Sequence, residues 1–521
     1  MHQRRRQKKV TNETDQYNLA GHFSDRVKAM PEAPALWLQG RTFSYAELGD
    51  LCRRVAGWLE REGVEAGSRV GILAGRGATA YTGILGVCWA GCTWVPLNPA
   101  HPPDRLNSLL QRAELDALIV DEEGAGLLPG LEPPLRVMSP ETALTDAVDH
   151  PPVPRKGNDL AYLMFTSGTT GVPKGVMITY AAIDHFLTVM QARYNIGPGD
   201  RVSQFFELTF DLSVFDVFMS LNNGATLCVL PEASRLGPAG FISEQKLTVW
   251  FSVPSAMVLM DRFGQLRPGV FPDLRLTLFC GEPLPADPVA NWIAAAPDSV
   301  VENLYGPTEA TLACLLQPCS PDIRVTTERG VVAIGGPYPG MQAAIMDAEA
   351  HIIRSDGEPG ELLLAGPQLA AGYWRDRSLT DERFMTLDGT RWYRSGDLAR
   401  QDEDGYFHHL GRIDNQIKIF GHRVELEEVD AHLRHSCRCE SAMAVAWPVK
   451  HGSAQGIVAF VAGSDLSVAK IRDRMKKRVP EYMVPRQVMF LDTLPLSANG
   501  KFDRKALVEL LKEQSHCQEN G

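Results

Sequence analysis

At 521 residues the chain is too long to fold around one compact core, so two or more structural units are expected. Its 44% apolar and 22% charged residues are those of a soluble globular protein, and a net charge of −11 argues against general nucleic-acid binding. Ten cysteines without a Cys-x-x-Cys pair fit a reducing cytoplasm rather than a disulfide framework.

The chain opens with Arg4, Arg5, Arg6, Lys8 and Lys9, and Thr-Asn-Glu-Thr-Asp follows where a signal peptide needs an apolar core. A solvated, disordered tail is expected over residues 1–16. Arg41 to Leu48 reads as a strand end entering a helix, whose apolar stripe continues through Leu51, Val55, Trp58 and Leu59. Short apolar runs at Arg69–Ala74 and Ala117–Asp121, with helical patterns between them, give a βαβ rhythm and predict a mostly parallel sheet. The uncharged stretch from Ala78 to His101 contains Gly83, Gly86, Gly91, Pro96 and Pro99, so it reads as a buried helix and a strand rather than a membrane span. Glu122 to Asn158, rich in proline and acid, reads as surface connections.

An apolar strand over Tyr162–Phe165 then runs into Thr166-Ser-Gly-Thr-Thr-Gly-Val-Pro-Lys-Gly175. Glycines let this backbone approach a ligand, while its N–H groups, hydroxyls and the mobile charge of Lys174 suit phosphate oxygens. It is not a Walker loop: Pro173 precedes the lysine and Gly175 follows it. Ile183, Phe186, Leu187 and Met190 fall at helical spacing, predicting a helix behind the loop. In Phe205–Asp216, Asp211 is an acid inside a strand-like apolar run, which is expensive unless it meets a partner; capping a helix from Leu212 is the competing role. Val249–Val253 and Leu276–Phe279 read as buried strands, the second entering Cys280-Gly-Glu-Pro-Leu-Pro285, and Val300–Glu309 as a strand ending in a polar and aromatic loop. His408-His409, and the cluster His432, His435, Cys437 and Cys439, read as structural residues rather than zinc ligands, the two cysteines being one residue apart.

The loop at residues 166–175 resembles the phosphate loop of the adenylate-forming superfamily, which holds acyl- and aryl-CoA synthetases, luciferase and peptide-synthetase adenylation domains. Asn303-Leu-Tyr-Gly-Pro-Thr-Glu309, Tyr393-Arg-Ser-Gly-Asp397, Gly411–Glu425 and Pro495–Arg504 resemble its further motifs, in family order over roughly residues 17–510. The resemblance implies an α/β fold with a large N-terminal multi-layer part (17–413) and a small, mobile α+β C-terminal lid (414–521) hinged at Asp414. It implies ATP and Mg2+ as cofactors. The nucleotide site comprises Thr166, Ser167, Gly168, Thr169, Thr170, Gly171 and Lys174 on the loop; Asn303, Tyr305 and Gly306 at the base; Thr308 at the α-phosphate; Asp397 on the ribose hydroxyls; and Arg412 and Lys501. Glu309 would hold the magnesium ion, and Thr166, Lys174, Glu309 and Lys501 count as catalytic. Two carboxylate oxygens suit a cis-diol, a flat ring suits a purine, and a hard cation wants oxygen.

Matched positions give a substrate pocket of Asp211, Leu212, Phe215, Ser255, Leu278, Cys280, Gly281, Leu304, Leu312 and Ala313. In amino-acid-activating members the residue matching Asp211 receives the α-ammonium group. The otherwise uncharged pocket excludes acidic and basic amino acids. Phe-Asp-Leu-Ser-Val and Phe-Cys-Gly-Glu-Pro-Leu-Pro resemble D-alanine–carrier-protein ligases, so alanine of either hand is the first expectation, with glycine, serine, proline and a small β-amino acid open. Nothing after Lys501 resembles a carrier-protein serine motif and no condensation domain precedes residue 17. The expectation is therefore a stand-alone, monomeric, cytoplasmic ligase that charges the phosphopantetheine of a separate carrier protein in natural-product or cell-envelope biosynthesis, without membrane or nucleic-acid partners. A CoA ligase for a simple acyl or aryl acid is the alternative.

Overall fold

The computed structural model describes residues 16–134, 136–142, 146–168, 172–235, 237–319, 323–353, 357–419, 421–450, 453–496 and 502–519. The expected α/β architecture is present in two sheets. One has seven strands in the order 372–373, 174–179, 160–166, 93–97, 69–73, 117–120 and 137–138. Its strands from 160–166 onward are parallel, joined by helices such as Ala78–Trp89 and Pro103–Ala113. The second sheet has nine strands, with 300–305, 276–279, 249–252, 201–204 and 226–229 as its parallel centre and antiparallel strands at both margins.

A helical layer joins the two sheets. Tyr180–Tyr194 packs on strands 160–166 and 174–179 and also on helix Leu212–Leu221, which in turn packs on strands 201–204 and 226–229. Every residue of Leu212–Leu221 is buried. Buried on every side, this helix carries Ser213, Asp216 and Ser220 among its apolar residues and lacks the charged outer face of a surface helix, so the strand-like reading of 205–216 is corrected to a turn and a buried helix. The helix Tyr45–Arg61 starts as its sequence dictates: the Ser44 hydroxyl accepts from the Glu47 N–H and the Glu47 carboxylate accepts from the Ser44 N–H.

Two further expectations change. The helix behind the phosphate loop is present, but Lys174–Thr179 intervenes as a strand antiparallel to 160–166, so the loop lies in a hairpin. Within 122–158, the segment Glu122–Leu127 is helical and Leu131, Met138 and Val148 are buried, anchoring that surface to the core.

A third sheet includes Gly360–Ala365, Thr390–Gln401 and Phe407–Arg412, the last two placing Asp397 opposite Arg412. Beyond it, a hairpin of Gln416–Ile419 and His422–Glu425 leads into a C-terminal unit with its own core, built from Val424, Val429, Leu433, Ile471 and Met475. Among the described residues no helix is long and apolar enough to cross a membrane.

Candidate active site

The parallel strands of the nine-stranded sheet end at a cavity of about 140 Å³, the place where open α/β sheets hold ligands. Strand 276–279 delivers Cys280 and Gly281, and strand 300–305 delivers Asn303, Leu304 and Tyr305. The third sheet adds Asp397, His409 and Arg412, and the C-terminal hairpin closes the cavity with Gln416, Lys418 and Arg423.

Asp397 is buried and accepts from Arg412 at 2.9 Å, from the His409 ring at 3.2 Å and from the Tyr305 hydroxyl. Burial would raise its pKa, but Arg412 and His409 outweigh burial and hold it far below the usual carboxylate range. Arg412 also grips Asp414 with two bonds, of 2.8 and 2.6 Å. Asn303 donates to the Ala333 carbonyl at 2.9 Å. A Cβ on Gly306 would lie 2.5 Å from the Ala313 Cα, so only glycine allows the chain to cross there.

Asp211 lies across the cavity with Leu212, Leu304 and Leu312. It stands at the start of helix Leu212–Leu221, yet its side chain makes no capping bond. Burial lifts its pKa to about 6, only partly offset by the Thr308 hydroxyl. Burial likewise pushes the Cys280 thiol up to about 12, so it acts as packing rather than as a nucleophile. Phe215, Leu278 and Ala313 are buried behind this wall and do not line the cavity. The expectation for Ser255 is corrected: it sits at the start of helix Pro254–Arg262, gives its N–H to Glu282 at 2.9 Å and faces a second cavity.

Glu309 is fully buried. It accepts from the Tyr373 hydroxyl at 2.7 Å on one oxygen and from Arg423 at 2.9 Å on the other. Burial opposes its ionisation, but Arg423 and Lys174 prevail and its pKa falls to about 2. With both oxygens engaged, Glu309 does not fit a magnesium ion in this arrangement. After it, Thr311 and Leu312 both have positive φ, at 56° and 67°, unusual for a β-branched and a bulky residue. The buried Gln368 holds them there: its backbone carbonyl accepts from Thr311 Oγ1 at 2.6 Å, and its amide donates to Ala313 at 2.8 Å and to Ala310 at 3.2 Å.

At the end of strand 160–166, Thr166 Oγ1 is buried without a hydrogen-bond partner among the described residues. The Ser167 hydroxyl donates to the Arg423 carbonyl at 2.9 Å, and the Gly168 N–H donates to Glu428 at 3.1 Å. Lys174 lies 3.6 Å from Glu425, and burial lowers its pKa to about 8. Thr169, Thr170, Gly171 and Lys501 lie outside the described residues.

Gln368, Lys418, Arg423 and Glu428, to which the sequence assigns no role, belong to this site or brace it, and the structural reading of His409 is corrected, since it lines the cavity and contacts Asp397. Lys418 points into the cavity, near Cys280 and Asp397, and burial lowers its pKa. The available signal is the Gly411–Glu425 motif, in which Lys418 stands between Ile417 and Ile419 and Arg423 beside Val424.

The second cavity, of about 750 Å³, lies between the N-terminal part and the C-terminal unit and shares Phe210, Glu282, Pro283 and Gly421 with the first. The turn at Gly421 has φ +83°, and a Cβ there would lie 2.6 Å from Val253 Cγ1; its N–H donates to Glu282 at 2.6 Å. Arg262 and Lys450 are among the residues around this cavity.

Residues 23–374 match the family model described as AMP-binding enzyme, and residues 428–501 match the AMP-binding enzyme C-terminal domain. Tyrocidine synthase 3 of Brevibacillus parabrevis is 34% identical over 502 residues, 93% of this chain but 7% of that protein. The anguibactin system regulator of Vibrio anguillarum is 29% identical over 502 residues, covering 94% of this chain and 47% of its own length. The chain thus spans less than half the length of these curated relatives. Among solved structures, the Vibrio cholerae adenylation domain AlmE, in complex with glycyl-adenosine-5'-phosphate, is 31% identical with a TM-score of 0.83, covering 97% of this chain and 99% of AlmE. IdnL7 is 34% identical with a TM-score of 0.69, covering 96% and 99%.

Proposed function

The chain belongs to the family of AMP-binding enzymes, and on that premise we propose that it activates a small, uncharged amino acid with ATP and passes it to the phosphopantetheine thiol of a separate carrier protein. One observation carries the amino-acid reading: Asp211 is a buried carboxylate that does not cap its helix and faces a cavity walled by leucines and Cys280. A charge in that position costs the folded protein unless a cation arrives, and the substrate's ammonium group is such a cation. The glycyl adenylate bound by AlmE, with its similar chain, supports the same class of substrate.

In this reading adenine lies against Tyr305 and Asn303, and the ribose hydroxyls turn to Asp397. The substrate carboxylate forms a bond to the α-phosphorus as the bond to the pyrophosphate oxygen breaks, with Lys501 stabilising the charge that moves. The thiol then enters by the second cavity, whose volume accommodates a long thin arm and whose Arg262 and Lys450 suit a phosphate at its outer end. The thiol gives up its proton to solvent, sulfur bonds to the acyl carbon, and the bond from that carbon to the phosphate oxygen breaks, so that AMP leaves with the electron pair. Lys418 lines the first cavity near Cys280 and Asp397, from where it would stabilise the oxyanion formed in that step.

Pyrophosphate release over a panel of amino acids and simple carboxylic acids tests the first half, and loading of a phosphopantetheinylated carrier tests the second. Release with glycine or alanine and none with acetate, benzoate or lysine is the expected result. Preference for a simple acid would replace this reading with that of a CoA ligase.

A further inference from the structure

We infer that Arg329 is a positioning residue for the ribose hydroxyls of the nucleotide, acting through His409, which it holds as a neutral donor to Asp397. The inference rests on the proposed reading of Asp397 as the acceptor of those hydroxyls.

The two adjacent histidines of strand Phe407–Arg412 are held differently. His408 does not line the cavity and lies between the Thr326 hydroxyl and Asp402, each at 3.1 Å. His409 lines the cavity, and its side chain is 14% exposed. Its Nδ1 contacts Arg329, on the turn between strands Val325–Thr326 and Val331–Val332, and its Nε2 lies 3.2 Å from Asp397 Oδ1. The same Arg329 nitrogen donates to the His409 carbonyl at 3.3 Å. A guanidinium has donors and no acceptor, so the ring nitrogen that faces it is the one without a proton. The proton therefore sits on Nε2 and is donated to Asp397. A second proton would set one N–H against another and a cation against a cation. The charged and titratable groups around the ring and its carboxylate are Asp397, Tyr305, Arg329, Arg412 and Lys418. Burial lowers the His409 pKa, Asp397 opposes this, and Arg329 and Lys418 add to the lowering.

Neutrality suits the task. Asp397 Oδ1 is held by Arg412 and His409, while Oδ2 has the Tyr305 hydroxyl as its one partner among the described residues. A carboxylate set between two cations spends its charge on them. One cation and one neutral donor fix its plane and leave acceptor strength for two uncharged hydroxyls.

The test measures binding of AMP and of 2′,3′-dideoxy-AMP to the full chain by calorimetry, from about pH 5.5 to about pH 8, with no amino acid or carrier present. The ratio of the two affinities isolates the hydroxyls. The wild type should prefer AMP by a ratio that stays constant over this range. In Arg329→Met the ratio should fall about 10-fold at the acid end, where His409 takes a proton, and recover toward the alkaline end. The double variant Arg329→Met/His409→Gln, whose amide can donate to Asp397 but cannot titrate, should show no such step. An Arg329→Met ratio equal to that of the wild type throughout overturns the inference, even where both affinities have fallen together, and so does a pH step that persists in the double variant. A wild type without preference for AMP removes the ribose role of Asp397 and this inference with it. A wild type that prefers AMP, beside an Arg329→Met variant that prefers it equally, overturns the role of Arg329 alone, and the amino-acid reading stands in either case.

Discussion

Replacing Asp211 by asparagine keeps its shape and removes its charge, and the structure predicts opposite consequences for stability and activity. Burial carries the Asp211 carboxyl from its usual 3.8 to about 6. At about 1.4 kcal/mol per pH unit, ionising it costs the empty folded protein about 3 kcal/mol. The folded state keeps a proton that the unfolded state loses between those two values, so wild-type stability falls as pH rises through that window. Below the window both states are protonated and the cost vanishes. Urea denaturation of the unliganded proteins should therefore find the asparagine variant more stable by about 3 kcal/mol at about pH 7.5, with the gap closing toward about pH 4. The same variant should lose amino-acid activation by about 10²–10³-fold, since it leaves a substrate ammonium without its counter-charge. Wild-type activation should itself decline as pH falls through about 6, where Asp211 takes up a proton. A variant no more stable than wild type at neutral pH, or a gap independent of pH, would refute the argument from burial.

Cys280→Ala should widen acceptance toward larger side chains by about 1–3 kcal/mol in relative specificity, read from pyrophosphate release across the amino-acid panel; an unchanged ranking contradicts the wall assigned to Cys280. Lys501→Ala should slow adenylation by about 10²–10³-fold while hardly touching transfer from a supplied aminoacyl adenylate, and equal losses in both steps would sink that division. Asp414→Pro fixes φ beside the Arg412 grip and should spare adenylation while blocking transfer, measured on the same two half-reactions. Lys418→Met should do likewise, lowering transfer by about 10²-fold, and loss of adenylation alone would place Lys418 in the wrong step.

What the sequence disclosed and what it withheld divide by the distance over which a residue acts. Asp211 and Cys280 declare themselves locally, as a charge in an apolar run and as the end of a buried strand. Arg423, Glu425 and Glu428 act on partners far away in the chain, Glu309, Lys174 and Gly168, and no local pattern shows where the C-terminal unit docks. His409 stands between His408 and Leu410 in its strand, and periodicity cannot tell which of the two histidines meets Asp397. Ser255 departs from its expected place for a related reason: it follows its strand by a few residues, but the helix beginning at Pro254 turns it toward the neighbouring cavity. Gln368 gave no signal, because its role is to hold two backbone residues in a conformation the sequence does not advertise.

If the loop between strands 160–166 and 174–179 holds phosphate as proposed, the hairpin sets how it can do so. A loop that opens a helix draws on the helix dipole, a fixed partial charge that no change of pH removes. Antiparallel strands have no such sum, since their dipoles alternate. In the proposed reading the grip would depend instead on a few N–H groups, hydroxyls and the ammonium of Lys174, whose pKa burial lowers to about 8. On that proposal, loss of one proton from Lys174 would weaken the hold on phosphate in mildly alkaline solution, and a neighbouring charge could strengthen or relax it without moving the backbone.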